Sequence, residues 1–210
     1  MSTLIATEVT LAELRDRFGI VQSTDSNFFS AEFATRSEPT EAEQIVFDRV
    51  QQNYLSQLEV QSLNEETVKM VVVSPLLDHA GFYRHPFTLY SEVSVEIQET
   101  DENSIALAGR IDTLVVQNQL WILVVESKRT RFSVQTAIPQ ALSYLLAKPQ
   151  PEKPGYALIT NGGEFLFVKL LNQTTPIYGF SQTFSLLNCD NDLYQVLGIL
   201  KQITASLQPS

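Results

Sequence analysis

Residues 87–127 constrain the fold more than any other part of this chain. Phe87 to Glu99 alternates, with Val93, Val95 and Ile97 on one side and Glu92, Ser94, Glu96 and Gln98 on the other. That pattern reads as a half-exposed strand. Thr100-Asp101-Glu102-Asn103 reads as a turn, Ile105 to Val116 as a second strand, and Gln117-Asn118-Gln119 as another turn. Leu120 to Ser127 is apolar almost throughout, which suits a central strand covered on both faces. Three strands joined by such short turns predict an antiparallel meander.

The second and third strands carry chemistry. Asp112 lies in Gly109-Arg110-Ile111-Asp112, fourteen positions before Glu126, and Glu126 opens Glu126-Ser127-Lys128. Positions 126 and 128 of one strand share a face. If the strand holding Asp112 pairs with it, two carboxylates and an ammonium converge. Paired acids offer hard oxygen ligands to a divalent cation. A neighbouring lysine can orient a water or offset charge on a phosphate oxygen. The combination suits metal-assisted phosphodiester hydrolysis.

Helices are expected on either side. Residues 40–58 have helical apolar spacing, with Thr40 and Glu43 forming a capping box. Residues 64–79 follow, with Asn64 as N-cap and Glu65 and Glu66 at the positive end of the helix dipole. Three consecutive valines and Pro75 work against this helix, and Gly81 would stop it. Residues 133–147 read as a helix with Ser133 as a possible cap and Pro139 inside it or in its first turn. Tyr156 to Thr160 reads as a strand, Asn161-Gly162-Gly163 as a hairpin turn and Glu164 to Leu171 as its partner. A last helix covers 190–206, capped by Asp190 or Asn191. Leu11 to Phe18 reads as a short helix, and Phe29 to Phe33 as a strand or loose arm. The expectation is an α/β (α+β) domain: a mixed sheet with an antiparallel meander, flanked by helices. Residues 1–60 would form a helical extension packed on a core of residues 61–210.

The helix–three strands–helix–strand order, with an acid and then acid-x-lysine on the second and third strands, resembles the PD-(D/E)xK nuclease superfamily. Within it the chain resembles the N-terminal nuclease domain of type I restriction enzyme R subunits. Asn64-Glu65-Glu66-Thr67-Val68-Lys69, with Ser74-Pro75-Leu76-Leu77 and Ala80-Gly81-Phe82, is similar to that family's first core helix. Gln140-Ala141-Leu142-Ser143-Tyr144 matches its Q-x-x-x-Y helix, and Leu158-Ile159-Thr160-Asn161-Gly162 its following strand and turn. The resemblance implies Asp112 and Glu126 as ligands of Mg²⁺ or Mn²⁺, with the Ser127 carbonyl as a further one. Lys128 would position the attacking water. Glu65 would support the metal, Gln140 would touch the site, and Tyr144 would support it one turn on or meet substrate. Arg129 and Arg131 would meet DNA. Ile111 precedes the acid, with no proline there, as is common in this branch of the superfamily.

Each of these residues also has a plain reading. Asp112 could accept backbone hydrogen bonds at a strand end. Glu126 and Lys128 could be a surface ion pair of little worth. Glu65 could be a helix-end charge, Gln140 a solvated residue, and Tyr144 part of the core. The two histidines, His79 and His85, lack the partners of a zinc site and read as loop or surface residues. No Walker loop, dinucleotide fingerprint or nucleophile elbow occurs, so any motor or specificity function would come from a separate subunit. A homodimer would suit cleavage of both strands of a duplex.

The net charge of −10 argues against broad nucleic-acid binding, which needs cations to neutralise phosphates. It leaves room for a local patch at Lys128, Arg129 and Arg131, with Arg84 and Arg110. That charge also keeps open a catalytically silent accessory module, or action on RNA or single strands. No apolar run reaches the roughly 18 residues of a membrane helix. The single cysteine, Cys189, and the absence of a signal-like N-terminus suit a cytoplasmic protein.

Overall fold

The computed structural model describes residues 2–30, 38–98, 105–117, 120–127, 129–148 and 153–206. Among these, nine strands form one mixed sheet in the order β1-β4-β5-β6-β7-β8-β2, with β3 also on β4 and β9 (Phe184–Ser185) on β7. The meander is present: β3 (Phe87–Gln98) pairs antiparallel with β4 (Ile105–Gln117), and β4 with β5 (Leu120–Ser127). The turns expected at 100–103 and 118–119 lie outside the described residues. β5 then pairs in parallel with β6 (Gly155–Thr160), which requires the intervening helix as a crossover. The Asn161 side chain builds the tight turn to β7 (Glu164–Leu171), its Oδ1 accepting from the backbone of Gly163 at 3.0 Å and Glu164 at 2.8 Å.

The first sixty residues are more than a helical extension. β1 (Ser2–Ile5) adds in parallel to β4, and β2 (Val21–Gln22) adds in parallel to β8 (Ile177–Phe180). Two helices accompany them, α1 (Leu11–Phe18) and α2 (Glu41–Val60). The arm expected at 29–33 lies largely outside the described residues.

Helices cover both faces of the sheet. Successive residues of a strand point to opposite sides. Leu158, Phe165 and Phe167 accordingly pack with Phe47, Val50 and Tyr54 of α2. Ala157, Ile159, Leu166 and Val168 pack with Leu14 of α1 and with Ala141, Leu142 and Leu145 of α5 (Ile138–Leu146). A short 3-10 turn, Val134–Ala137, precedes α5 and leaves Pro139 in its first turn, where a missing N–H costs nothing. The last helix, α6 (Leu193–Ala205), begins at Asp192 rather than at the expected caps. Asn191 still accepts from the backbone of Leu193 at 3.2 Å, and Asp192 accepts from the backbone of Ser185 at 2.8 Å. No helix among the described residues is long and apolar enough to cross a membrane.

The helix expected over 64–79 forms in three pieces: α3 (Glu65–Val68), a π turn (Lys69–Val73) and α4 (Ser74–His79). Asn64 caps the first, accepting from the backbone of Thr67 at 2.8 Å. The widened π turn occupies the valine run ahead of Pro75, where regular helix is least favoured. Gly81 ends the segment with a left-handed φ of 88°.

Candidate metal and nuclease centre

β4 holds the candidate centre because its neighbours change along its length. Residues 106–108 pair with both β1 and β3, and residues 113–117 with both β3 and β5. β1 and β5 therefore share one edge of β4, end to end, with β3 along the other. β1 runs parallel to β4 and β5 antiparallel, so their C-terminal ends face each other. No described strand pairs with residues 109–112 on that edge. Asp112 sits at this interval. Thr113 and Val125 are the last paired positions of β4 and β5, and Asp112 and Glu126 are the next residue on each strand. On its other side Glu126 is in register with Ile159, and Ser127 with Thr160. Lys128 lies outside the described residues.

Tyr144 of α5 fills the interval from one face. Its side chain is 1% exposed, and its hydroxyl donates to the carbonyl of Arg110 at 2.8 Å. Gln140, one turn earlier and 6% exposed, donates from Nε2 to the Tyr144 hydroxyl at 2.9 Å. Gly109 is required here, because a Cβ at this position would come within 2.6 Å of both Ala6 Cβ and Tyr144 Cε1. Gln140 is thus a buried residue rather than a solvated one. Tyr144 stands inside the protein, where it holds the strand of Asp112 and presents no surface to a substrate.

From the opposite side Lys69 reaches in. Its Nζ lies 3.0 Å from Glu66 Oε1, 3.1 Å from Glu92 Oε1 and 3.8 Å from Asp112 Oδ1. The last distance is a charge attraction rather than a hydrogen bond. The Asp112 side chain is only 15% exposed. Arg110 Nε donates to the second oxygen of Glu92 at 2.6 Å. Burial opposes the charge on Lys69. The hydrogen bond to Glu66, the field of Asp112 and the hydrogen bond to Glu92 outweigh it, and its pKa lies above the ordinary 10.5. Lys69 is therefore a cation at any physiological pH.

Glu92 was expected on the outward face of a regular strand. Instead its φ is +56°, a left-handed conformation uncommon for any residue but glycine, asparagine or aspartate. Register passes from Ser91–Thr113 to Val93–Ile111, which sets Glu92 opposite Asp112. Glu92 carried no motif signal, and Lys69 stood only as the end of the segment similar to the family's first core helix, with no role attached. The spacing of Glu66 and Lys69, three apart on a helix, could have shown only their local pair.

The remaining candidates are dispersed. Glu65 opens α3 half-buried, and its neighbour Glu66 makes the ion pair to Lys69. Arg129 and Arg131 are exposed just past β5. Arg131 Nε donates to Ser62 Oγ at 2.9 Å, while Thr130 and Leu63 exchange hydrogen bonds that tie this loop to the start of α3. His85 is exposed, and His79 packs half-buried with its ring edge to face with Phe47. A groove of about 530 Å³ opens beside Lys69, walled by Tyr83, Phe87 and Tyr90 and reaching Ser91 and Thr113.

The family model described as "Type I restriction enzyme R protein N terminus" matches residues 5–175. No curated protein matches. Among solved structures, a fragment described as an HsdR subunit of a type I restriction enzyme from Vibrio vulnificus YJ016 is similar, at 23% identity and a TM-score of 0.41. That likeness covers 65% of this chain and 25% of the other, so the chain spans about a quarter of that protein's length.

Proposed function

Since the chain belongs to the family of type I restriction enzyme R protein N termini, we propose that it is a metal-dependent endonuclease domain that hydrolyses DNA phosphodiester bonds. The observation that carries this reading is the adjacency of Asp112 and Glu126 at the open end of the β4–β5 pair. A half-buried carboxylate with a second acid at the next position across the ladder suits a hard divalent ion. Among the described residues no three acids, histidines or cysteines form a ready cage. Asp112 and Glu126 would therefore hold Mg²⁺ or Mn²⁺ together, with the Ser127 carbonyl as a further ligand. Such an ion supplies Lewis acidity and a more acidic water.

The protein's own groups would do the rest. Lys128 would orient the attacking water and neutralise charge gathering on the phosphate oxygens. Arg129 and Arg131, exposed beside the strand end, would meet the DNA backbone. Gln140 and Tyr144 would keep β4, and with it Asp112, in place. A partner subunit would supply target specificity, and a second copy would allow both strands of a duplex to be cut. The acidic net charge favours one rival, an accessory module with the same scaffold and no turnover.

The test is nicking of supercoiled plasmid in Mn²⁺. Wild type should nick, and Asp112→Ala and Lys128→Ala should not. Equal nicking by all three would assign the activity to a contaminant, and absence of metal binding at millimolar Mn²⁺ would support the accessory module.

A further inference from the structure

We infer that Lys69 is a built-in counter-ion whose ammonium competes with a divalent cation for the Asp112 carboxylate, so that a helix residue outside the nuclease motif sets how tightly the centre binds metal. This rests on the metal-dependent reading above.

Two backbone irregularities converge to make the contact. The π turn begins at Lys69 itself, and such turns recur at functional positions. Glu92, opposite Asp112, holds the left-handed backbone that accompanies its grip on both Lys69 and Arg110. A conformation of this kind persists where surrounding contacts over-determine it.

The distances show how the ammonium could yield. Its bonds to Glu66 and Glu92 are the short ones, at 3.0 and 3.1 Å, and Asp112 is the distant partner at 3.8 Å. Glu66 is 76% exposed, and Lys69 borders the open groove. An ion arriving at Asp112 would therefore leave Lys69 with two carboxylates and access to water, so no charge would be stranded. Its positive charge would still oppose the newcomer across a half-buried space, where screening is weaker than in bulk water.

Calorimetric titration of Mn²⁺ into the full chain tests this without reference to turnover. Lys69→Met should bind Mn²⁺ about tenfold more tightly than wild type, and Lys69→Arg, which keeps the charge, should stay near wild type. Lys69→Gln gives the same neutral comparison should the methionine variant fail to fold. Asp112→Asn should weaken binding in every background. If neutral Lys69 variants bind no tighter than wild type while Asp112→Asn still weakens binding, Lys69 has no such role and the metal reading stands. If neither wild type nor the neutral variants bind at millimolar Mn²⁺, both fall.

Discussion

The phenol of Tyr144 is hydrogen-bonded to the carbonyl of Arg110, two residues before Asp112, in the stretch of β4 that lies between the ends of β1 and β5. Removing one partner of a buried hydrogen bond costs about 1–3 kcal/mol, so Tyr144→Phe should lower stability by that order. Urea denaturation of the two proteins checks this. The same variant should lose Mn²⁺-dependent nicking beyond what its unfolded fraction explains, because the strand bearing Asp112 loses its anchor.

Gly109→Ala attacks the same place from the backbone side. The added methyl meets Ala6 Cβ and Tyr144 Cε1 at 2.6 Å, a distance at which something must shift. Overpacking of this kind costs about 1–3 kcal/mol, and a thermal melt several degrees below wild type is expected. An unchanged melt would mean that β1 and Tyr144 are looser than their packing suggests.

Glu92 offers a test of backbone strain separate from charge. Both Glu92→Gly and Glu92→Val abolish the ion pairs to Lys69 and Arg110. Glycine accepts a φ of +56°, whereas a β-branched residue is a steric outlier there. The valine variant should be the less stable by about 1–2 kcal/mol. Equal stabilities would show that the strand relaxes to a regular conformation once the carboxylate is gone.

Glu43 links α2 to α6 and should impose a pH dependence. It completes the capping box with Thr40 and is paired with Lys201. Burial pushes its pKa up, but the bonds from Lys201 and from the Thr40 backbone outweigh this and hold it below the ordinary 4.5. A carboxylate with a lowered folded pKa contributes fully above its unfolded pKa and loses that contribution as pH falls through the folded value. Glu43→Gln should therefore be less stable than wild type at pH 7, by about 1–2 kcal/mol. The gap should close progressively below pH 4.5. Denaturation midpoints measured from pH 7 to pH 3 would follow it.

The capping box at Thr40 and Glu43, the meander, and the helix bearing Gln140 and Tyr144 were all legible in the sequence, because each is written in neighbouring residues. The short strands were not. β1, β2 and β8 span two to four residues, too few for any period to emerge, and the partners of β1 and β2 lie far along the chain. At the centre, strand order brought Asp112 and Glu126 together on paper. Lys69 and Glu92 escaped because their meeting depends on a π turn and a left-handed residue, both of which break the periodicities by which helices and strands are read. Glu65 was expected to support the metal, and the carboxylate that pairs with Lys69 is that of Glu66, one residue on, which is about a quarter turn of helix away.

The gap between the ends of β1 and β5 has a mechanical meaning. A strand laddered on both sides is clamped at every rung, and one laddered on a single side can sway. Among the described residues β4 is laddered at 109–111 on its β3 side alone, and a single aromatic prop stands where a neighbouring chain would otherwise be. The stiffness of that stretch on its open edge therefore leans on one side chain from the helix layer, and a shift of that helix is passed to Arg110 and so to the strand that carries Asp112.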